Sequence, residues 1–72
     1  MHIKQHRMKI NRLKIILTEQ SRTSRWLAKE LGKSASTVSR WCTNEGQPSV
    51  ETLAEIAKLL KIDIKELLNS TK

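Results

Sequence analysis

Cysteine is almost missing from this chain. Cys42 stands alone among 72 residues, so no intrachain disulfide can form. Metal ligands are equally sparse. Trp41 and Thr43, which flank Cys42, do not ligate metals, and the two histidines, His2 and His6, both lie at the N-terminus. Their i, i+4 spacing would let them share a helix face and hold a metal weakly. Two solvated side chains on a basic arm is the simpler reading, so neither a zinc site nor a cofactor is expected. No apolar run exceeds three residues, far short of the roughly 20 that span a bilayer. Ile15-Ile16-Leu17 is too short for a signal-peptide core, and no small-residue cleavage site follows it. No membrane association and a cytoplasmic location are the expectations. Also missing are a Ser/His/Asp or Cys/His set, paired carboxylates on one face and a glycine-rich phosphate loop, which argues against an enzyme. No segment alternates apolar and polar residues as a half-buried strand would.

What the chain does have is positive charge, unevenly placed. The formal net charge is +7. Residues 1–40 carry ten Lys or Arg against two Glu, whereas residues 41–72 carry four against five acids. A basic half beside a near-neutral half points to a polyanion surface on the first half. Charge alone does not separate DNA, RNA and an anionic membrane. Met8 opens a stretch that would serve as a start by itself. Residues 1–7 are therefore expected to be a flexible basic N-terminal arm, and residues 8–72 a single domain.

The apolar spacing predicts five short helices with tight connections. The first covers about residues 8–18, with Ile10, Leu13, Ile16 and Leu17 in one stripe. The second follows Thr23 as N-cap, runs from Ser24 to Leu31, and ends at Gly32. The third follows Ser34 and runs from Ala35 to Cys42, with Val38, Trp41 and Cys42 turned inward. Residues 43–48 form a loop. The fourth is capped by Ser49 and runs to about Leu60, with Leu53, Ile56, Ala57 and Leu60 as its stripe. The fifth is capped by Asp63, with Glu66 three residues on, a capping-box pattern. Ile64, Leu67 and Leu68 are its apolar residues.

The informative unit is Thr23 to Cys42. Two short helices joined by Gly32-Lys33-Ser34 have the geometry of a helix-turn-helix, at about residues 24–42. The second helix of such a pair presents its N-terminal half to the major groove of DNA. Its outward residues suit that task. Ala35, Ser36, Thr37 and Ser39 are small enough for close approach, and Arg40 can grip guanine O6 and N7 with two hydrogen bonds. The N-termini of both helices offer free N–H groups to phosphate. Thr23, Ser24 and Ser34 add hydroxyls there, and Arg25 and Lys33 add charge.

Three stretches carry a resemblance. They are Thr23-Ser24-Arg25-Trp26-Leu27-Ala28-Lys29-Glu30-Leu31-Gly32-Lys33-Ser34, then Thr37-Val38-Ser39-Arg40-Trp41, then Gln47-Pro48-Ser49-Val50-Glu51-Thr52-Leu53. Together they resemble the phage-repressor (Cro/C1, or XRE) helix-turn-helix family over about residues 8–69. The resemblance implies an all-α, compact five-helix, lambda-repressor-like domain. It implies a transcriptional regulator, usually a repressor, that binds double-stranded DNA as a dimer on inverted repeats. By that likeness Thr23 and Ser24 grip phosphate, Ala35 and Ser36 read bases, and Arg40 is a third reader. Thr43, Asn44 and Gln47 match a loop that touches the DNA backbone. Many members have glutamine where this chain has Ser24 and Ala35, so the base preference of relatives does not carry across. Many also pair an arginine with a glutamate at the positions of Leu17 and Cys42. An apolar contact is expected here instead, which makes Cys42 a packing residue.

Other readings stand beside these. Trp26 and Trp41 are placed in the core or at its edge rather than on bases. Ile62, Ile64, Leu67 and Leu68 are a candidate homodimer face as well as candidate core. A toxin-binding antitoxin that also binds its own promoter is the alternative function, with a toxin protein as partner.

Overall fold

The computed structural model describes residues 11–68. Four α-helices follow in order: α1 (Leu13–Glu19), α2 (Ser24–Leu31), α3 (Ala35–Cys42) and α4 (Val50–Leu60). A single 3₁₀ turn (Ile64–Leu67) closes the domain. No strand occurs among the described residues, where one isolated antiparallel bridge joins Asn11 to Leu68. The fold is the expected all-helical one. The proposed arm at 1–7, His2 and His6, and Ile10 lie outside the described residues.

Three helices start as their side chains dictate. The Thr23 hydroxyl accepts from the Trp26 N–H at 3.0 Å, Ser34 from Thr37 at 3.1 Å and Ser49 from Thr52 at 3.1 Å. Each satisfies one of the N–H groups a helix start leaves without an intrahelical partner. Gly32 ends α2 at φ 70°, and the next N–H, from Lys33, returns to the Ala28 carbonyl at 2.9 Å. That left-handed geometry suits glycine, which has no Cβ to clash. Lys61 ends α4 in the same conformation, at φ 58°.

Two helices differ from expectation. The first begins at Leu13 rather than near residue 8. The Asn11 side-chain carbonyl accepts from the Leu13 N–H at 3.0 Å, a local bond that draws Asn11 out of the helix. The Arg12 N–H bonds the Leu67 carbonyl at 2.8 Å, so this stretch pairs with the end of the domain instead of coiling. The expected fifth helix is the 3₁₀ turn. Asp63 does cap it, but its carboxylate accepts from Lys65 at 3.3 Å, and the Glu66 N–H bonds the Asp63 carbonyl at 2.9 Å. The turn therefore closes i to i+3, and the capping-box bond is replaced by an Asp-turn.

The core draws from every element: Leu13, Ile16 and Leu17; Leu27 and Ala28; Val38 and Trp41; Ile56, Ala57 and Leu60; and Leu67. Leu67 is 0% exposed. It is core and not available to a partner, which removes it from the candidate dimer face. Leu68 is 41% exposed, while Ile62 and Ile64 pack partly against the core. The α2 and α3 helices pack most extensively on each other, and each buries a residue completely, Leu27 and Val38. The burial of Val38 sets which face α3 shows to solvent.

Candidate nucleic-acid interface

The outer face of α3 is built by subtraction. Val38 and Trp41 go into the core, so Ala35, Ser36, Ser39 and Arg40 are left exposed. At 100° per residue these four span about 140° of the helix surface. Thr37 sits at the edge, half-buried. The first turn of α3 carries a chain of hydroxyls: Ser34 Oγ lies 2.8 Å from Thr37 Oγ1 and 3.2 Å from Ser36 Oγ. A hydroxyl can donate and accept at once, so these groups keep capacity for an outside partner. Thr23, Arg25 and Lys33 are exposed on the neighbouring helix end and turn, and Ser24 is half-buried. The structure brings Thr23, Ser24, Ser39 and Thr43 to the lining of one open cleft, and Thr37, Arg40 and Gln47 to another.

The loop residues Asn44 and Gln47 are used internally. Asn11 is 4% exposed. Its amide nitrogen donates to the Trp41 carbonyl at 3.0 Å and to Gln47 Oε1 at 2.7 Å. Asn44 clamps the Asn11 backbone from both sides, accepting its N–H at 2.9 Å and donating to its carbonyl at 3.2 Å. Gln47 then donates to Asn44 Oδ1 at 3.0 Å. Asn44 holds φ 62°, a left-handed value that asparagine tolerates well. The three amides stitch the start of α1 to the end of α3 and the loop beyond it. Thr43, by contrast, is exposed and donates to the Arg40 carbonyl at 3.2 Å.

Sequence reasoning passed over Asn11, whose polarity gave no sign of burial. It also passed over Arg22. The Arg22 guanidinium lies over the Trp26 ring, 4.3 Å from its centroid. Their separation of four residues next to a helix start was a readable signal. Trp26 itself is half-buried against the core, at the core edge as expected. Leu17 and Cys42 line one cleft together. Burial pushes the Cys42 thiol above its ordinary value, and the Lys14 ammonium draws it partly back. Among the described residues, no group of three His, Cys, Asp or Glu side chains is placed to hold a metal. No helix there is long and apolar enough to cross a membrane.

Comparison with known proteins agrees with this geometry. A helix-turn-helix family profile, of the Cro/C1 (XRE) type, matches residues 13–67. The chain belongs to that helix-turn-helix family, one of DNA-binding regulators and not of enzymes. The chain is also similar to a crystal structure of a candidate DNA-binding protein from Bacteroides fragilis. The two share 50% identity with a TM-score of 0.82, over 83% of this chain and 97% of that one. No curated protein matches the chain.

Proposed function

We propose that this chain binds double-stranded DNA sequence-specifically and regulates transcription, as a repressor acting as a dimer on an inverted repeat. One observation carries the reading. With Val38 and Trp41 buried, α3 offers solvent a face of small residues and one long forked donor. Ala35, Ser36 and Ser39 allow close approach to base edges, and Thr37 borders them. Arg40 reaches furthest and can bond guanine twice, a contact worth about 1–3 kcal/mol of discrimination. Thr23, Ser24, Arg25, Lys33 and Ser34 are the proposed phosphate contacts, by their hydroxyls and charge. Thr43 extends the set. Asn44 and Gln47 join it through the second N–H of each amide, one being committed within the fold. The role requires access to DNA, hence a cytoplasmic location.

Of the candidate dimer residues, Leu68 is the exposed one and Ile62 and Ile64 are half-buried, so Leu68 is the proposed contact with a second copy. Leu68→Lys should leave the monomer folded and make binding to two adjacent half-sites independent, read by titration against one-site and two-site duplexes. Unchanged cooperativity would move the dimer contact elsewhere.

Selection from a random duplex pool at near-physiological salt tests the main reading, with wild type and Arg40→Ala side by side. A two-fold motif with half-sites about 10 base pairs apart is expected. The variant should lose preference at one base per half-site. Enrichment of nothing, with binding that merely weakens with salt, would overturn sequence-specific regulation.

A further inference from the structure

Three side-chain amides lead from the start of α1 to the surface beside α3, and backbone groups dictate which way each is turned. One end of such an amide accepts and the other only donates, so a fixed neighbour decides its orientation. Asn11 is buried. The Leu13 N–H can only donate, so Asn11 Oδ1 must face it, at 3.0 Å. The Trp41 carbonyl can only accept, so Asn11 Nδ2 must face it, at 3.0 Å. The second N–H of Nδ2 is then left for Gln47 Oε1, at 2.7 Å. Asn44 is fixed in the same way by the Asn11 backbone, whose N–H meets Oδ1 at 2.9 Å and whose carbonyl meets Nδ2 at 3.2 Å.

Gln47 is held at both ends as a result. Its Oε1 is taken by Asn11, and one N–H of Nε2 is taken by Asn44 Oδ1 at 3.0 Å. Turning the amide over would set its nitrogen against the donor on Asn11 and its oxygen against the acceptor on Asn44. Only one orientation is compatible with both neighbours, and what it keeps for an outside partner is the second N–H. Gln47 is exposed. It lines an open cleft of about 170 Å³ with Thr37 and Arg40, so that donor lies beside the proposed base-reading residues. Asn44 takes φ 62°, where glycine would be less strained. Glycine there would have no side chain to close the set.

We propose that Asn11, itself buried away from any ligand, is a positioning residue for DNA binding: it fixes Gln47 beside Arg40 as a hydrogen-bond donor to an acceptor atom of the duplex. The proposal rests on the DNA-binding reading above. It adds a residue to that reading and fixes the polarity of one contact.

The test is a double-mutant cycle on DNA affinity, by fluorescence anisotropy with a duplex carrying the selected site and with a scrambled one. Binding is measured at a temperature where circular dichroism shows each variant folded. Asn11→Ser keeps an oxygen for the Leu13 N–H and takes away the amide that reaches Gln47. Gln47→Met keeps the length of the side chain and removes the donor without a change of charge. Each should weaken binding about 2- to 10-fold, the worth of one neutral hydrogen bond. The double variant should bind no more weakly than Gln47→Met alone. The slope of log K against log salt should be unchanged, since no charge is lost. Ile56→Val, which loosens the core away from the loop, should bind as wild type. A loss confined to the selected duplex places the acceptor on a base, and an equal loss on both duplexes places it on a phosphate. Full affinity of Gln47→Met would overturn the proposal, as would effects of Asn11→Ser and Gln47→Met that simply multiply in the double variant. Wild type gives a second readout by NMR. The Asn11 side-chain amide protons should exchange slowly with solvent, and those of Gln47 should shift when duplex is added. Asn11 protons that exchange as fast as in urea would contradict the positioning role. If wild type binds no duplex DNA at all, the parent reading falls and takes this one with it.

Discussion

Asn11 shows how much one residue can bind together. It is buried, and its side chain serves the Leu13 N–H, the Trp41 carbonyl and Gln47. Asn11→Ala leaves buried partners without bonds, at about 1–3 kcal/mol for each stranded group. Urea unfolding of the variant should show a loss of at least about 2 kcal/mol; a loss under about 0.5 kcal/mol would mean water replaces the amide. Cys42 gives a second residue-level expectation. Its thiol is held above the ordinary value by burial, with Lys14 opposing, and the thiolate is the reactive form. Alkylation at pH 8 should therefore be slower in the native chain than in urea at the same pH. Equal rates would contradict the burial. The sign for stability follows: the unfolded chain ionises first, so this thiol's contribution is lost as pH rises above its ordinary value.

At the scale of elements, caps and apolar spacing were legible and the competing polar bonds were not. Thr23, Ser34, Ser49 and Gly32 mark helix boundaries by residue type alone, and the structure uses all four as expected. The start of α1 and the 3₁₀ turn were misjudged for one reason. Asn11 and Asp63 make side-chain bonds two residues on, and a periodicity does not reveal which local bond wins. Leu67 was legible as apolar, but whether it faces the core or a partner depends on where the 3₁₀ turn lies. The outer face of α3 was legible because Val38 and Trp41 define the inner one. The Asn11–Asn44–Gln47 set was not, since it joins residues far apart in sequence. Two glycine variants test the turn between α2 and α3. Nothing lies within 4 Å of a Cβ at either glycine, but Gly32 alone has positive φ. Gly32→Ala should cost about 1–2 kcal/mol of stability through backbone strain. Gly46→Ala should be close to neutral. Equal effects in thermal unfolding would show that strain at Gly32 is not what the turn depends on.

For the whole molecule, placement of charge and of small residues bears more on function than overall basicity does. Of the basic residues of the first half, Lys14 and Arg22 line a cleft with Ser39 and Thr43, and Arg40 is exposed on α3. Across α4, Glu55 and Lys58 share a groove with Glu30, a mixed surface without the same pull on a polyanion. One face of the domain should therefore meet DNA and the α4 side should not. The most direct measurement is amide chemical-shift mapping by NMR, titrating the labelled chain with a duplex that carries the selected site. The largest shifts should fall at residues 23–25 and 34–40, with Lys58, Leu59 and their neighbours on α4 unmoved. Shifts concentrated on α4 or around Leu68, with residues 34–40 unchanged, would contradict the assignment of α3 as the DNA-reading helix.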